Sequence, residues 1–220
     1  MIPGQGVLAI WNGIEEGHDA EFIRWHVHEH IPERLTVPGF LRARRYTAVD
    51  GQPAYFNFYE TETPDVLFSE TYLSRLNDPT EWTRRVVPHF TDFSRTPCRV
   101  VASTGHGVAG FVLALRLDCN ADLAAPVATA LIRSKNLTAV HLLERGGEAV
   151  LETAESAMRG KKDETSRAIL LAEGPMAEPL KAAVDAILTS PEGDTPPVTA
   201  TGLYRLDFMM QSSVEEDHPN

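Results

Sequence analysis

The chain contains a faint internal echo, and that echo limits its fold more than any other feature. The segment Gly6-Val-Leu-Ala-Ile-Trp11 returns as Gly110-Phe-Val-Leu-Ala-Leu115. Each is an apolar, strand-like run followed within about ten residues by an acid-bearing helix start. Further on, Ala54-Tyr-Phe-Asn-Phe-Tyr-Glu60 leads into Thr63-Pro64-Asp-Val-Leu67, and Ala168-Ile-Leu-Leu-Ala-Glu173 leads into Gly174-Pro175 and Pro179-Leu-Lys-Ala-Ala-Val184. In both, a strand stops at a glutamate and a helix opens near a proline, whose fixed φ suits a first helical turn.

Filling in between predicts strand 6–12, helix 18–31, strands 39–48 and 54–60, helix 64–76 with a short turn at 79–88, and strand 96–104. The second half reads strand 108–117, helix 121–134, strand 138–145, a helical excursion near 148–160, strand 167–173, helix 176–189 and strand 198–210. The order is βαββαβ twice, with one insertion. This predicts an α+β fold of two tandem ferredoxin-like repeats, each an antiparallel sheet with both helices on one face. Two such sheets can cover each other's open faces, giving an intramolecular α/β barrel with helices outside. Ser103-Thr-Gly-His-Gly107 marks the boundary, so residues 1–105 and 106–211 are the two units and 212–220 an acidic tail. Residues 190–197, rich in proline and glycine, read as a surface loop.

The composition decides against several partners. Of 220 residues, 43% are hydrophobic and 23% charged, an ordinary globular balance. Twenty Lys and Arg against 31 Asp and Glu leave a net charge of -11, which repels phosphate backbones and anionic lipid. No nucleic acid and no membrane partner is expected. The first six residues lack a basic stretch ahead of an apolar one, and nowhere do eighteen apolar residues run together. A cytoplasmic protein is the expectation. Cys98 and Cys119 show no CxxC spacing, so neither a disulfide framework nor a thiolate zinc site is indicated.

The densest cluster of chemistry is Glu21-Phe-Ile-Arg-Trp-His-Val-His-Glu-His-Ile-Pro-Glu-Arg34. At 100° per residue, Ile23, His26, Val27 and His30 share a stripe while Arg24 and His28 point away. A histidine on an apolar face is commonly a satisfied core residue. Two of them weaken that reading, because each buried imidazole costs desolvation unless it finds partners, and a pocket supplies a reason to keep both. A metal on His26 and His30 would need a third ligand, and Glu29 sits off the stripe. Strand Phe40-Leu-Arg-Ala-Arg-Arg-Tyr-Thr47 places Arg42, Arg44 and Tyr46 on one side, Leu41, Ala43 and Arg45 on the other. An arginine facing the helices could hold a carboxylate or enolate oxygen; a charged strand end in solvent is the alternative. Tyr55, Asn57 and Tyr59 share a strand face, and Tyr72 and Trp82 could roof an apolar pocket or simply belong to the core.

Trp25-His-Val-His-Glu-His-Ile-Pro-Glu-Arg34, then Val37-Pro-Gly-Phe40 and Arg44-Arg-Tyr46, resemble the dimeric α/β-barrel superfamily, especially its EthD-like branch, over about the first 105 residues. The resemblance implies a pocket between helices and sheet, with His30 reaching in and Pro32, Pro38 and Gly39 setting shape. The family includes cofactor-free isomerases, monooxygenases, cyclases and lyases as well as haem enzymes, and the fold does not choose among them. The second half departs from the pattern, because its helix from Ala121 to Arg133 has no histidine. One site per chain is expected.

The favoured reading is a cofactor-independent isomerase, lyase or cyclase in aromatic catabolism, moving a proton beside a carbonyl of a small lactone, carbonyl or aromatic-derived substrate. His30 would act as acid–base with His26 beside it, Arg45 would steady the enolate, and Arg44, Tyr46, Asn57, Tyr59, Tyr72 and Trp82 would bind substrate. No metal or cofactor is required. A non-catalytic ligand-binding or assembly protein and a haem enzyme stand as alternatives, and the outer sheet edges leave a homodimer open.

Overall fold

Strands that are apolar on both faces need cover on both. Two central strands are of this kind, β3 (Tyr55–Thr61) and β7 (Ala168–Gly174), each buried along its whole length. The computed structural model describes residues 1–147, 152–160, 163–190 and 195–213, and shows how both faces are covered. With β1 (Gly6–Ile14), β2 (Phe40–Gly51), β4 (Phe90–Gly105), β5 (Phe111–Leu117), β6 (Ala139–Arg145) and β8 (Val198–Gln211), they form one closed antiparallel barrel in the order β1-β3-β2-β8-β5-β7-β6-β4. One face of every strand looks into the barrel and the other carries helices.

Within residues 6–105 the order is β4-β1-β3-β2, and within 111–211 it is β8-β5-β7-β6, the same arrangement of first to fourth strands. The halves join where β2 pairs with β8 and β4 with β6. Three of the seam strands are long, 12, 14 and 16 residues for β2, β8 and β4, while the fourth, β6, has seven like β3, β5 and β7. β4 begins at Phe90 and not near residue 96 as the pattern predicted, because its first residues pair with the end of β1, Phe90 opposite Ile14 and Thr91 opposite Gly13.

The barrel interior is apolar and aromatic: Trp11 stacks on Phe56 at 4.5 Å, with Tyr46, Phe58 and Tyr204 beside them. Outside the second half, helices α5 (Ala121–Leu131) and α7 (Ala177–Leu188) pack on Leu113, Leu115, Leu142 and Leu170 in a continuous apolar layer. Outside the first half the helical layer is more broken. Helices α1 (Asp19–Trp25) and α2 (Ile31–Leu35) are joined through a π-helical turn, His26–His30, closed by Ile31 N–H to His26 C=O. The helix predicted to end at 31 therefore runs to Leu35. The predicted helix 64–76 divides into a 3-10 turn (Pro64–Phe68) and α3 (Glu70–Asn77), because the Ser69 side chain caps α3 by accepting from Tyr72 N–H at 3.2 Å. Helix α4 (Glu81–Val86) follows, capped likewise by Thr80. In the insertion of the second half, α6 (Ala154–Met158) opens on a Thr153–Ser156 capping box. Residues 148–151 of the predicted excursion, 191–194 of the predicted loop and 214–220 of the predicted tail lie outside the described residues.

Gly39 enters β2 at φ +89, where a Cβ would lie 2.6 Å from a Val66 methyl, so backbone sterics and packing both call for glycine. Among the described residues, no helix is long and apolar enough to cross a membrane.

At one end of the barrel a charged network bridges the halves. The Arg44 guanidinium, fully buried, binds Glu60 of β3 at 2.7 Å, Glu173 of β7 at 2.7 Å and the Tyr46 hydroxyl at 2.9 Å. Arg42 also binds Glu60, and Glu173 accepts from Ala109 N–H and lies 3.1 Å from His141 Nε2. Burial pushes the Glu173 carboxyl up, but the His141 contact, the Arg44 charge and the backbone donor outweigh it and hold the group at about 2. Removing one member of such a group strands the others without compensation. Arg44→Met is expected to cost about 3–5 kcal/mol of unfolding free energy, read from the urea midpoint; a loss below about 1 kcal/mol would show that the halves are held by apolar packing alone.

Candidate functional site

A cavity opens between the helical layer and the outer face of the first half. Its floor is formed by β1 and β3 through Leu8, Ile10, Asn12, Asn57 and Tyr59. One wall is the π turn with its flanks, contributing Trp25, His26, His30 and Arg34; the opposite wall is α3, contributing Tyr72, Leu73 and Leu76. Phe90, Phe93 and Arg95 of β4 complete the rim. The insertion of the second half lies across it with Thr153, Glu155, Ser156, Arg159 and Asp163. The empty space, its mouth included, is about 790 Å³. That suits a small ligand held among aromatic, aliphatic and charged side chains.

The π turn shapes this wall. With one extra residue in the turn, Phe22, Trp25, His26, His30, Ile31 and Arg34 all come to the inner side, whereas Ile23 and Val27, predicted on the same stripe, are only half-buried. His28 is exposed. The His26 and His30 rings stack at 5.4 Å, Trp25 lies 4.3 Å from His30, and the Tyr59 hydroxyl is hydrogen-bonded to His26 Nε2 at 3.0 Å. The Nδ1 atoms of both histidines are buried without a partner.

Both imidazoles are held neutral. Burial, aided by the positive charges of Arg45 and Arg34, lowers His26 from 6.5 to about 3. Burial likewise puts His30 well below its ordinary value, with Arg34, His26 and Arg159 adding repulsion. Burial also drives the Tyr59 hydroxyl far up, so it stays protonated. Arg34 is 3% exposed; burial disfavours its charge, but Glu155 and Tyr72 restore it and raise it overall, through an ion pair to Glu155 at 2.6 Å. Arg159 makes a bidentate pair with Asp163 and lies 4.0 Å above the Phe93 ring.

Of the residues chosen from sequence, the structure brings His26, His30, Asn57, Tyr59 and Tyr72 to the cavity. It places four others elsewhere. Arg44 and Tyr46 turn into the barrel, bound to Glu60 and Glu173, because their phase on β2 matches the interior. Arg45 takes the helix side of β2 but lies off the cavity lining, 3.5 Å from Asp207 and above the Tyr55 ring, where its charge acts on His26. Trp82 points from α4 to Glu21, its indole donating at 2.6 Å. Glu29 accepts from the Trp25 indole and the Thr80 hydroxyl, apart from the His26–His30 pair.

Four lining features escaped the sequence reading. Arg34 continues the 26, 30, 34 spacing and could have been found by it. Asn12 is a polar residue in an apolar strand, donating to Gly13 C=O and accepting from Asn57. Arg95 and the insertion carry no local signal, since Arg95 reaches the cavity through pairing of β4 with β1 and the insertion comes from the second half. Away from the cavity, Glu15, His18 and His89 set their ligand atoms within 4.8 Å of one another, with Glu15 and His89 paired at 2.8 Å.

No family model matches the chain, and no curated protein sequence matches it. Solved structures do. An anthrone oxidase-like protein superposes with a TM-score of 0.59 at 12% identity, covering 94% of this chain and 93% of its own. A candidate monooxygenase from Fusobacterium nucleatum subsp. nucleatum gives 0.57 at 7% identity, covering 95% of each chain. A mutant chlorite dismutase from Candidatus Nitrospira defluvii, complexed with cyanide, gives 0.57 at 12% identity, covering 92% and 90%. At such identities the likeness is one of architecture alone: a closed antiparallel barrel with helices outside, here formed within a single chain.

Proposed function

We propose that this protein is a cofactor-independent enzyme that moves a proton beside the carbonyl of a small lactone, ketone or aromatic-derived compound, as an isomerase, lyase or cyclase of EthD-like type. The two halves, 1–105 and 106–211, are read as ferredoxin-like repeats of which the first keeps the active cavity and the second its cover. The observation that carries the reading is a pair of neutral imidazoles set beside a protonated tyrosine in a cavity walled by aromatic rings. A neutral imidazole has a lone pair for the proton of an acidic C–H, and low surroundings in water strengthen every charge effect there.

His30 takes the proton from the carbon next to the carbonyl and returns it to a neighbouring carbon or to the leaving group. Charge then builds on the carbonyl oxygen. Arg34, whose cation is secured by Glu155, and the Tyr59 hydroxyl are the groups able to meet it from the wall and floor. His26 fixes Tyr59 through their hydrogen bond and is a positioning residue. Arg45, set behind it, contributes by keeping His26 neutral. Asn57 and Tyr72 contact the body of the substrate. A haem reading fits poorly at His26, whose Nε2 is committed to the Tyr59 hydroxyl.

His30→Gln keeps the volume and loses the base. Turnover of a panel of lactones, β-keto acids and hydroxylated aromatics is expected to fall by about 10²-fold or more at unchanged melting temperature. Unaltered turnover in that variant rules out the assignment, and saturable binding of panel members without turnover by the wild type favours a storage or sensing protein of the same fold.

The pH behaviour follows from the same groups. A histidine neutral in the fold but protonated near 6.5 when unfolded stabilises the native state fully above about pH 7 and progressively less as the pH falls toward its folded value. For His26, lowered from 6.5 to about 3, the loss at pH 5 is about 2 kcal/mol. Urea midpoints at pH 7 and pH 5 should show the drop, and His26→Phe should shrink it; an equal drop in the variant would place the titrating group elsewhere. The acid limb of kcat/KM should lie well below 6.5, since His30 stays unprotonated there.

A further inference from the structure

The charged groups around the cavity are unevenly paired. Three guanidiniums line it, those of Arg34, Arg95 and Arg159, with the carboxylates Glu155 and Asp163. Arg34 is matched by Glu155 and, at 3.0 Å, by Glu33 just outside the lining; Arg159 is matched by Asp163. Arg95 has no carboxylate partner among the described residues. Its side chain meets Tyr72 alone, donating to the hydroxyl at 3.3 Å with the guanidinium carbon 6.0 Å from the ring centre. The Arg34 guanidinium carbon lies 5.8 Å from the same ring, so two cations flank Tyr72 and one of them is unneutralised.

The two histidines supply no anion either, so among the described residues the Arg95 cation faces the cavity with no carboxylate in contact, in a chain that as a whole carries -11. A guanidinium facing a cavity and bonded only to a neutral phenol keeps most of its donors for something else. The surrounding surface is flat and apolar: Phe90, Phe93, Tyr72 and Trp25.

We infer that the cavity binds planar aromatic acids, with the ligand's carboxylate on Arg95 and its ring among Tyr72, Phe93 and Trp25, so that the opposite edge of the ring faces His30. This rests on reading the cavity as the substrate site, and it narrows the substrate class from carbonyl compounds at large to those bearing an acidic group. Bidentate pairing of guanidinium and carboxylate fixes orientation as well as affinity, which a proton transfer at one ring edge requires. Because the mouth is open to solvent, affinity should fall with added salt.

The test is titration calorimetry of the full chain with salicylate and its neutral amide, salicylamide, at low and high salt. Salicylate is expected to bind roughly tenfold or more tightly than the amide. Arg95→Gln should abolish that preference while leaving amide affinity within about twofold, and Arg95→Lys should restore part of it. Equal affinities in the wild type, no binding of salicylate at millimolar concentration, or a preference that survives in Arg95→Gln each overturn the inference. The two readings fail separately. Acid preference with no turnover of any panel compound refutes the proton-transfer role alone, whereas turnover confined to neutral lactones refutes the acid class alone.

Discussion

A single buried guanidinium sets the phase of the strands that build the cavity. Side chains alternate along a strand, so once Arg44 and Glu60 turn into the barrel to meet Glu173, their neighbours must turn outward. Arg45 and Ala43 then face the helices, and Tyr59 and Asn57 form the cavity floor. A slip of one residue in either strand would put a charged network under the helices and two polar floor residues among Trp11 and Phe56. The closing of the barrel and the chemistry of its outer face are thus one constraint.

The cavity wall departs from regular helix where chemistry is concentrated. Five residues of π-helix bring a tryptophan, two histidines and an arginine to one side of a helix that at a regular pitch would spread them over two. The cost is visible in the two unpartnered Nδ1 atoms and in imidazoles far less basic than usual. The second half shows the opposite choice. There Ala124, Ala128, Leu131, Leu180 and Val184 fill the equivalent layer with apolar side chains.

Much of this architecture was legible in the chain. The alternation of strands and helices, twice over, pointed to eight strands, and the barrel has eight at nearly the expected places. The spacing of His26 and His30 directed both inward, and both are buried. Arg44, Arg45, Tyr46 and Trp82 could not be assigned by period alone, since a charged residue on a buried face is explained only by its partners. Glu60 and Glu173, the residues that claim Arg44, lie far along the chain from it, and a local window cannot see them. Arg95 and Glu155 were hidden for the same reason: they reach the cavity only through pairing of β4 with β1 and through the insertion laid across the mouth.

That insertion has a consequence for how such a chain diversifies. In an assembly of two identical subunits, any change near one site is imposed on the other. Here Glu155, Arg159 and Asp163 sit over a cavity whose floor belongs to the opposite half, on a segment outside the strand ladder. Mutation in that segment can retune what the mouth admits while leaving the barrel's strand ladder and the residues of the cavity floor untouched. Selectivity is thereby free to drift independently of the scaffold.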